Sequence, residues 1–371
     1  MGLPLQCAGI VSQKLAKLLP LPAPLVLNRV SAARVVSPSG KATTMAGKER
    51  PLVIDRVGFD QWLFEKAEEA GARFSLGERL LEVQALGIRG TASRCKRGGT
   101  DARVSVRTTK GTRDADLLVG CDGPKSVVAR SVGVERKLAT GLQVRVKLDH
   151  PDDVASLYFS PRYRPLFGWV VPEGDGTCRV GVGTWRRSRE ALDHLLAKLG
   201  VDRSDVVDHQ AGLIPVGPPG PVAFPGIALL GDAAGHVKAS TGGGIVMLLT
   251  AGRVLADAIL KINGGDGSYG RAPLRRLYER RLRAVVDRQL KVHHAINSLL
   301  GSFTSREFDR LLELYENTPV GGAFQLYGEM DFPLGFVLKL LRHRQVLDFL
   351  VAWLKRHGVR NAINLVMASK S

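Results

Sequence analysis

A chain of 371 residues with 44% hydrophobic content has room for two or three domains and the composition of an ordinary globular protein. No apolar run is long enough for a membrane span, and no charged segment leads an apolar one at the N-terminus, so neither a transmembrane helix nor a signal peptide is expected. The formal net charge of +18 asks for an anionic partner or a solvated basic surface. No nucleic-acid-binding motif accompanies it and the aromatics do not interleave with the basic runs, so nucleic acid is set aside. An anionic lipid surface and a simple Arg-rich surface both stay open.

Cys7, Cys95, Cys121 and Cys178 are scattered without paired spacing, which fits reduced thiols in the cytoplasm. His293 and His294 are adjacent, so on a helix they point to different faces, and no metal site is expected.

In chain order, a short helix breaks at Leu21-Pro22-Ala23-Pro24, and Val26 to Val36 reads as a strand ending at the Ser37–Gly40 turn. Asp55-Arg56 precedes a helix from about Phe59 to Glu69, closed by Gly71. Strands near Arg79–Val83 and Arg103–Thr108 flank a basic loop from Arg94 to Gly99. Leu117 to Val119 reads as a buried strand, followed by a tight turn at Asp122-Gly123 and a helix starting near Pro124. Strand-like runs at 142–148, 155–160, 166–171 and 177–184 are separated by Pro/Gly/Asp turns and predict an antiparallel sheet. Gly174-Asp175-Gly176 is the hairpin turn within it. Beyond residue 243 the pattern is nearly all helical: 243–262, about 270–299, 303–316, and basic amphipathic pieces to the end.

The densest signal lies between Ile227 and Ile245. A short apolar strand ends in Gly231-Asp232, a polar loop follows, and Gly242, Gly243 and Gly244 open a long helix. Bare backbone N–H groups at a helix N-terminus bind anions and allow a flat ring or a pyrophosphate to approach closely. A carboxylate at the carboxyl end of the strand can accept hydrogen bonds from sugar or ribityl hydroxyls.

These residues resemble a known family. Gly231-Asp232-Ala-Ala-Gly235 with Thr241-Gly-Gly-Gly-Ile245 is similar to the ribityl-binding motif of FAD enzymes with the aromatic-hydroxylase fold, in the form found in geranylgeranyl reductases. Asp116-Leu-Leu-Val-Gly-Cys-Asp-Gly-Pro124 resembles the Asp-Gly motif of the same flavoproteins, with Asp122 and Gly123 at its turn. Gln6-Cys-Ala-Gly-Ile-Val-Ser12 resembles the loop that places a cysteine beside the flavin. Phe167-Gly-Trp-Val-Val-Pro172, followed by Val180-Gly-Val-Gly183, is similar to the family's Tyr-x-Trp-x-Phe-Pro substrate motif. Phe167 stands in place of the tyrosine and Val171 in place of the phenylalanine.

The resemblance implies an α/β fold with α+β elements: a Rossmann-like FAD-binding part over 1–140, an antiparallel-sheet substrate domain over 141–222, a return to the FAD domain over 223–262, and a helical region over 263–371. Such chains open with a strand–Gly-x-Gly-x-x-Gly–helix unit for the pyrophosphate. This sequence shows none, and the expectation is that roughly 30–40 residues, about one strand–helix–strand unit, are missing before Met1. The resemblance also implies FAD held by Arg56, Asp122, Gly123, Gly231, Asp232, Gly242–Gly244 and Ile245, with Phe167, Trp169, Val171 and Pro172 as substrate walls. Cys7 is the candidate catalytic residue, and a small buried apolar residue is its ordinary alternative. Arg56 has its own ordinary alternative, an ion pair with Asp60.

The implied activity is reduction of C=C bonds in a geranylgeranyl chain of a membrane lipid. Electrons would come from ferredoxin, a reduced nicotinamide or a deazaflavin, and the protein would be cytoplasmic, with peripheral contact to the membrane. A flavin monooxygenase of an apolar or aromatic substrate and a chain without flavin are the competing readings.

Overall fold

The computed structural model describes residues 2–86, 103–265 and 267–358, so the basic loop at Arg94–Gly99 and Cys95 lie outside the described residues. A seven-stranded sheet forms the centre. Its strands run in the order Val206–Pro215, Leu138–Lys147, Thr177–Thr184, Pro165–Pro172, Val154–Tyr158, Ala32–Val36 and Ala42–Ala46. Pairing is antiparallel except between Val154–Tyr158 and Ala32–Val36. The last two strands come from the segment assigned by sequence to the FAD-binding part.

Side-chain alternation gives this sheet two different faces. Val144, Val146, Val170, Val180 and Val182 pack with Ala191, Leu192 and Leu195 of the helix Ser188–Leu199. Gly141, Gln143, Trp169 and Val171 face the other way and line a cavity. The helix Ser188–Leu199 and the strand Val206–Pro215 have no counterpart in the sequence expectation.

A small sheet of Ala223–Phe224, Ile227–Leu229 and Leu118–Gly120 carries the parallel pairing of the second unit. It is buried under the helix Ile245–Asn263 and the long helical segment Arg271–Ser302, in a core that includes Met247, Leu255, Tyr278 and Leu282. The segment has α-helical geometry except at two π-helical stretches, Arg275–Glu279 and Arg283–Asp287. Tyr278 ties it to the sheet by donating a hydrogen bond to the Leu229 carbonyl at 2.7 Å.

Two local expectations change. Val26–Val36 is not one strand: Val26–Arg29 pairs with Leu52–Ile54, whereas Ala32–Val36 joins the seven-stranded sheet. The switch falls at Val30 and Ser31, whose N–H groups are taken by the Pro51 and Asp153 carbonyls. The helix after the Asp-Gly turn begins at Val127 rather than at Pro124, because Ser126 is its N-cap and accepts from the Ala129 N–H.

Near the C-terminus, the helix Arg344–His357 packs through Phe349, Trp353 and Leu354 against Phe303 and Phe308. Leu347 and Val351 of the same helix are 45% and 48% exposed.

Candidate flavin and apolar-chain site

The buried strand Ile227–Leu229 ends in a 3-10 turn over Gly231–Ala234, with Gly231 at φ +67° and Gly235 at φ +73°, backbone that L side chains rarely adopt. The loop then closes on itself: the Gly242 N–H donates to the Lys238 carbonyl at 2.8 Å, and the Lys238 N–H donates to the Gly243 carbonyl at 3.0 Å. Behind it the packing is tight. A Cβ on Gly243 would sit 3.2 Å from Lys238 Cε, and one on Gly244 would sit 3.1 Å from the His236 carbonyl. In front of it is a cavity of about 330 Å³ lined by Arg56, Asp232, Gly242, Gly243, Gly244 and Ile245, with Cys7 at its edge. Gly244 caps the helix Ile245–Asn263 without any side-chain acceptor. Its first N–H groups are therefore available to a ligand.

The charges in this cavity are incompletely matched. Burial pushes the Asp232 carboxyl up to about 6, against the pull of the Arg56 guanidinium. No hydrogen bond to its carboxylate comes from the described residues. Arg56 pairs with Asp60 at 2.9 Å, yet its Nε is buried without a partner. The ion pair with Asp60 is present, and the Nε is left over beside the cavity. A buried carboxylate without donors, an orphan guanidinium N–H and a bare helix N-terminus fit the ribityl hydroxyls and flavin carbonyl edge of FAD.

Asp122, Gly123 and Gly231 do not line this cavity, whereas Pro124 does. Asp122 spends its carboxylate on Ser126 Oγ and the Val127 N–H, so it caps a helix. Gly231 serves the turn.

Cys7 sits where two cavities meet. The Gly9 N–H donates to its sulfur at 3.3 Å, and its carbonyl accepts from Gln143 Nε2 and Arg179 Nη1, each at 3.1 Å. Arg179 is buried and paired with Glu173 at 2.5 Å, which anchors this end of the loop. Burial acts to lower Arg56, but the neighbouring Cys7 sulfur and Asp60 outweigh it and hold the guanidinium above its usual range. The thiol thus has a backbone donor and a cation as neighbours.

The second cavity, about 470 Å³, is walled by Phe167, Trp169 and Val171 and by Phe324 and Phe336 from the helical region. It shares Cys7, Ile214, Gly242 and Gly243 with the first. Two glycines seat its walls. A Cβ on Gly181 would fall 2.5 Å from the Trp169 indole, and one on Gly183 would fall 2.5 Å from Leu166 Cδ1. This explains Val180-Gly-Val-Gly183: the valines fill the helix-packed face and the glycines accept the cavity's side chains. The Trp169 Nε1–H donates to Gln143 Oε1 at 3.1 Å, and Gln143 Nε2 donates in turn to Gln210 at 2.5 Å. Pro172 does not line the cavity; strand alternation turns it away, and its carbonyl accepts from Asn28 at 3.1 Å.

Sequence reading did not assemble a buried tie beside the first cavity. Lys238 is buried and paired with Asp331 at 2.6 Å, and Asp331 also accepts from Ser12 Oγ. The Asp331 carbonyl lies 3.0 Å from His293 Nε2, whose Nδ1 is 2.6 Å from Ser240 Oγ. The glycine loop, the cysteine loop and the helical region are thereby tied at one point. Burial lowers His293 to about 4, so the ring is neutral near pH 7. Gln143, Gln210, Arg179 and Asp331 have no sequence spacing that would have marked them.

Residues 22–174 match the FAD binding domain family. The digeranylgeranylglycerophospholipid reductase 2 of Methanothermobacter thermautotrophicus is 31% identical over 339 residues, covering 85% of this chain and 83% of the relative. Among solved structures, a geranylgeranyl bacteriochlorophyll reductase-like protein from Thermoplasma acidophilum matches with a TM-score of 0.77 at 21% identity, over 96% of this chain and 90% of that one. A probable FAD-dependent monooxygenase from Pseudomonas aeruginosa shares the fold at a TM-score of 0.55 and 17% identity, over 84% and 90%. With the glycine loop, its unmatched carboxylate and the adjoining apolar cavity in place, the chain belongs to the geranylgeranyl reductase family of FAD-dependent oxidoreductases.

Proposed function

We infer that this protein saturates isolated C=C bonds in the geranylgeranyl chains of a membrane lipid. The observation that carries the reading is the junction of the two cavities at Cys7, Gly242 and Gly243. An apolar slot that opens onto a cofactor cavity positions an unactivated alkene with little water nearby, and positioning is the largest contribution a protein can make to such a step. Bound FAD supplies the hydride equivalent. The apolar walls, Phe167, Trp169 and Val171, hold the chain, and Gln143 fixes the Trp169 ring. Cys7 Sγ delivers the proton to the second alkene carbon. The Gly9 N–H and the Arg56 guanidinium lie beside this sulfur, and solvent returns the proton to it.

The substrate is drawn from a bilayer surface. No helix among the described residues is long and apolar enough to cross a membrane. Leu326 and Tyr327 follow Phe324 on the helix Pro319–Tyr327 and are 65% and 46% exposed. Leu338, Leu341, Leu347 and Val351 are also exposed, with Lys339, Arg342 and Arg344 among them. This apolar surface with basic flanks begins next to the cavity wall and docks reversibly on anionic lipid.

The test is incubation of FAD-loaded protein with a digeranylgeranyl phospholipid and dithionite, followed by mass spectrometry. Stepwise gain of two hydrogens per double bond supports the reading. Unchanged lipid, with rapid oxygen uptake on adding reduced nicotinamide and an aromatic compound, favours a hydroxylase.

A further inference from the structure

A smaller chamber lies behind the apolar cavity, and Leu166 and Phe167 belong to the walls of both. It measures about 30 Å³ and is enclosed by Phe159, Leu300, Gly301, Phe303 and Phe308. On a regular strand Leu166 and Phe167 would point to opposite faces. Here the pairing of Pro165–Pro172 with Thr177–Thr184 slips. Pro165 opposes Thr184 and Gly168 opposes Val182, so Leu166 and Phe167 together face Gly183. Such a bulge re-aims side chains, and both residues end up in the partition. Leu166 is seated on Gly183 and reaches the cofactor loop: a Cβ on Gly242 would sit 3.4 Å from its Cδ1. Phe167 is buried between two rings, with Trp169 edge-on at 6.4 Å on the cavity side and Phe159 at 5.5 Å on the chamber side. Phe159 stacks onward to Phe308 at 5.0 Å.

We propose that Phe167 is a depth stop: its ring closes the apolar cavity off from the Phe159–Phe303–Phe308 chamber and thereby limits the length of isoprenoid chain the site accepts. The chamber behind it is walled largely by rings and Leu300, with Arg164 and Asn297 also on its lining, and takes the tail of a longer chain once the ring is removed.

This inference rests on the reading of the larger cavity as the isoprenoid site, and the experiment separates the two. Full-length protein is titrated with geraniol, farnesol, geranylgeraniol and geranylfarnesol, following quenching of Trp169 fluorescence, with Trp169→Phe as the blank. Wild-type protein is expected to bind progressively longer prenols up to a limit and then more weakly. Phe167→Ala should move that limit outward, with about a tenfold gain for geranylfarnesol, some 1.4 kcal/mol. Phe167→Leu should move it less and serves if the alanine variant does not fold. The same order of affinities in wild type and both Phe167 variants overturns the depth stop alone. Failure of every prenol to quench wild-type protein overturns the isoprenoid reading of the cavity and the depth stop with it.

Discussion

The two cavities that meet at Cys7 are built on opposite principles. The cofactor side is backbone: a glycine loop, a bare helix N-terminus, and charges left short of partners. Burial pushes its Asp232 carboxyl up to about 6, and its Arg56 Nε is buried without a partner. The chain side is side chain: rings and aliphatic groups seated on glycines, with its few amides satisfied among themselves through Gln143, Gln210 and Trp169. At Gly243 the missing Cβ leaves room for the Lys238 side chain behind the loop, and at Gly181 it leaves room for the Trp169 ring and Gln143. Substitutions on the two sides should separate cofactor retention from turnover.

The largest effect on cofactor binding should come from Gly243→Val. A β-branched side chain would meet Lys238 and Thr241 and displace the loop. FAD affinity should fall about a hundredfold or more, roughly 2.7 kcal/mol, as read by flavin retained after dialysis. Full yellow occupancy would reduce the loop to an ordinary turn. The largest effect on stability should come from Lys238→Met, which leaves the buried Asp331 carboxylate without its cation. The expected loss is about 3–5 kcal/mol of stability, seen as a large drop in Tm, whereas a drop equal to that of an exposed-pair control such as Lys66→Met would show the tie to be unimportant.

Gly181→Ala sharpens the comparison from the other side. The new methyl would overlap both the Trp169 ring and Gln143. Flavin content should stay at the wild-type level while kcat/KM for alkene reduction falls about tenfold, near 1.4 kcal/mol. Loss of flavin in this variant would mean that the two sides are not separable. The smaller of the two stability effects concerns Asp232 in flavin-free protein. Its folded-state pKa, raised to about 6 from 3.8, binds protons more tightly than in the unfolded chain. Its contribution is therefore most favourable below the unfolded value and is lost as pH rises through about 6. Asp232→Asn should then raise the Tm of flavin-free protein at about pH 8 by the equivalent of on the order of 2 kcal/mol. That gain should vanish near pH 4. An equal gain at both values would assign the effect to something other than charge.

Much of the cofactor side was legible in the sequence, because backbone requirements leave glycines at fixed offsets. Gly231-Asp232 and Gly242–Gly244 mark a turn and a helix start whatever the tertiary context. Asp122-Gly123 was legible as a turn, but where its carboxylate points was not; it is consumed by Ser126 and Val127, which only the local geometry decides. On the chain side, Phe167, Trp169 and Val171 could be picked out by resemblance, while Pro172 could not be sorted without knowing the pleat. The bulge at Leu166-Phe167 lies between Pro165 and Gly168, but neither residue fixes which face the two side chains take. Asp331 was invisible because its partners, Ser12 and Lys238, lie far away in the chain and meet it only after folding.

The most direct test of the account is an anaerobic single turnover. FAD-loaded protein is reduced by light or by stoichiometric dithionite and then mixed with a digeranylgeranyl phospholipid in the absence of oxygen. Return of the yellow oxidised spectrum, with one double bond saturated per flavin, is the predicted result, since the apolar cavity delivers the alkene to the shared wall at Cys7 and Gly242. A flavin that stays reduced beside unchanged lipid until air is admitted would contradict it.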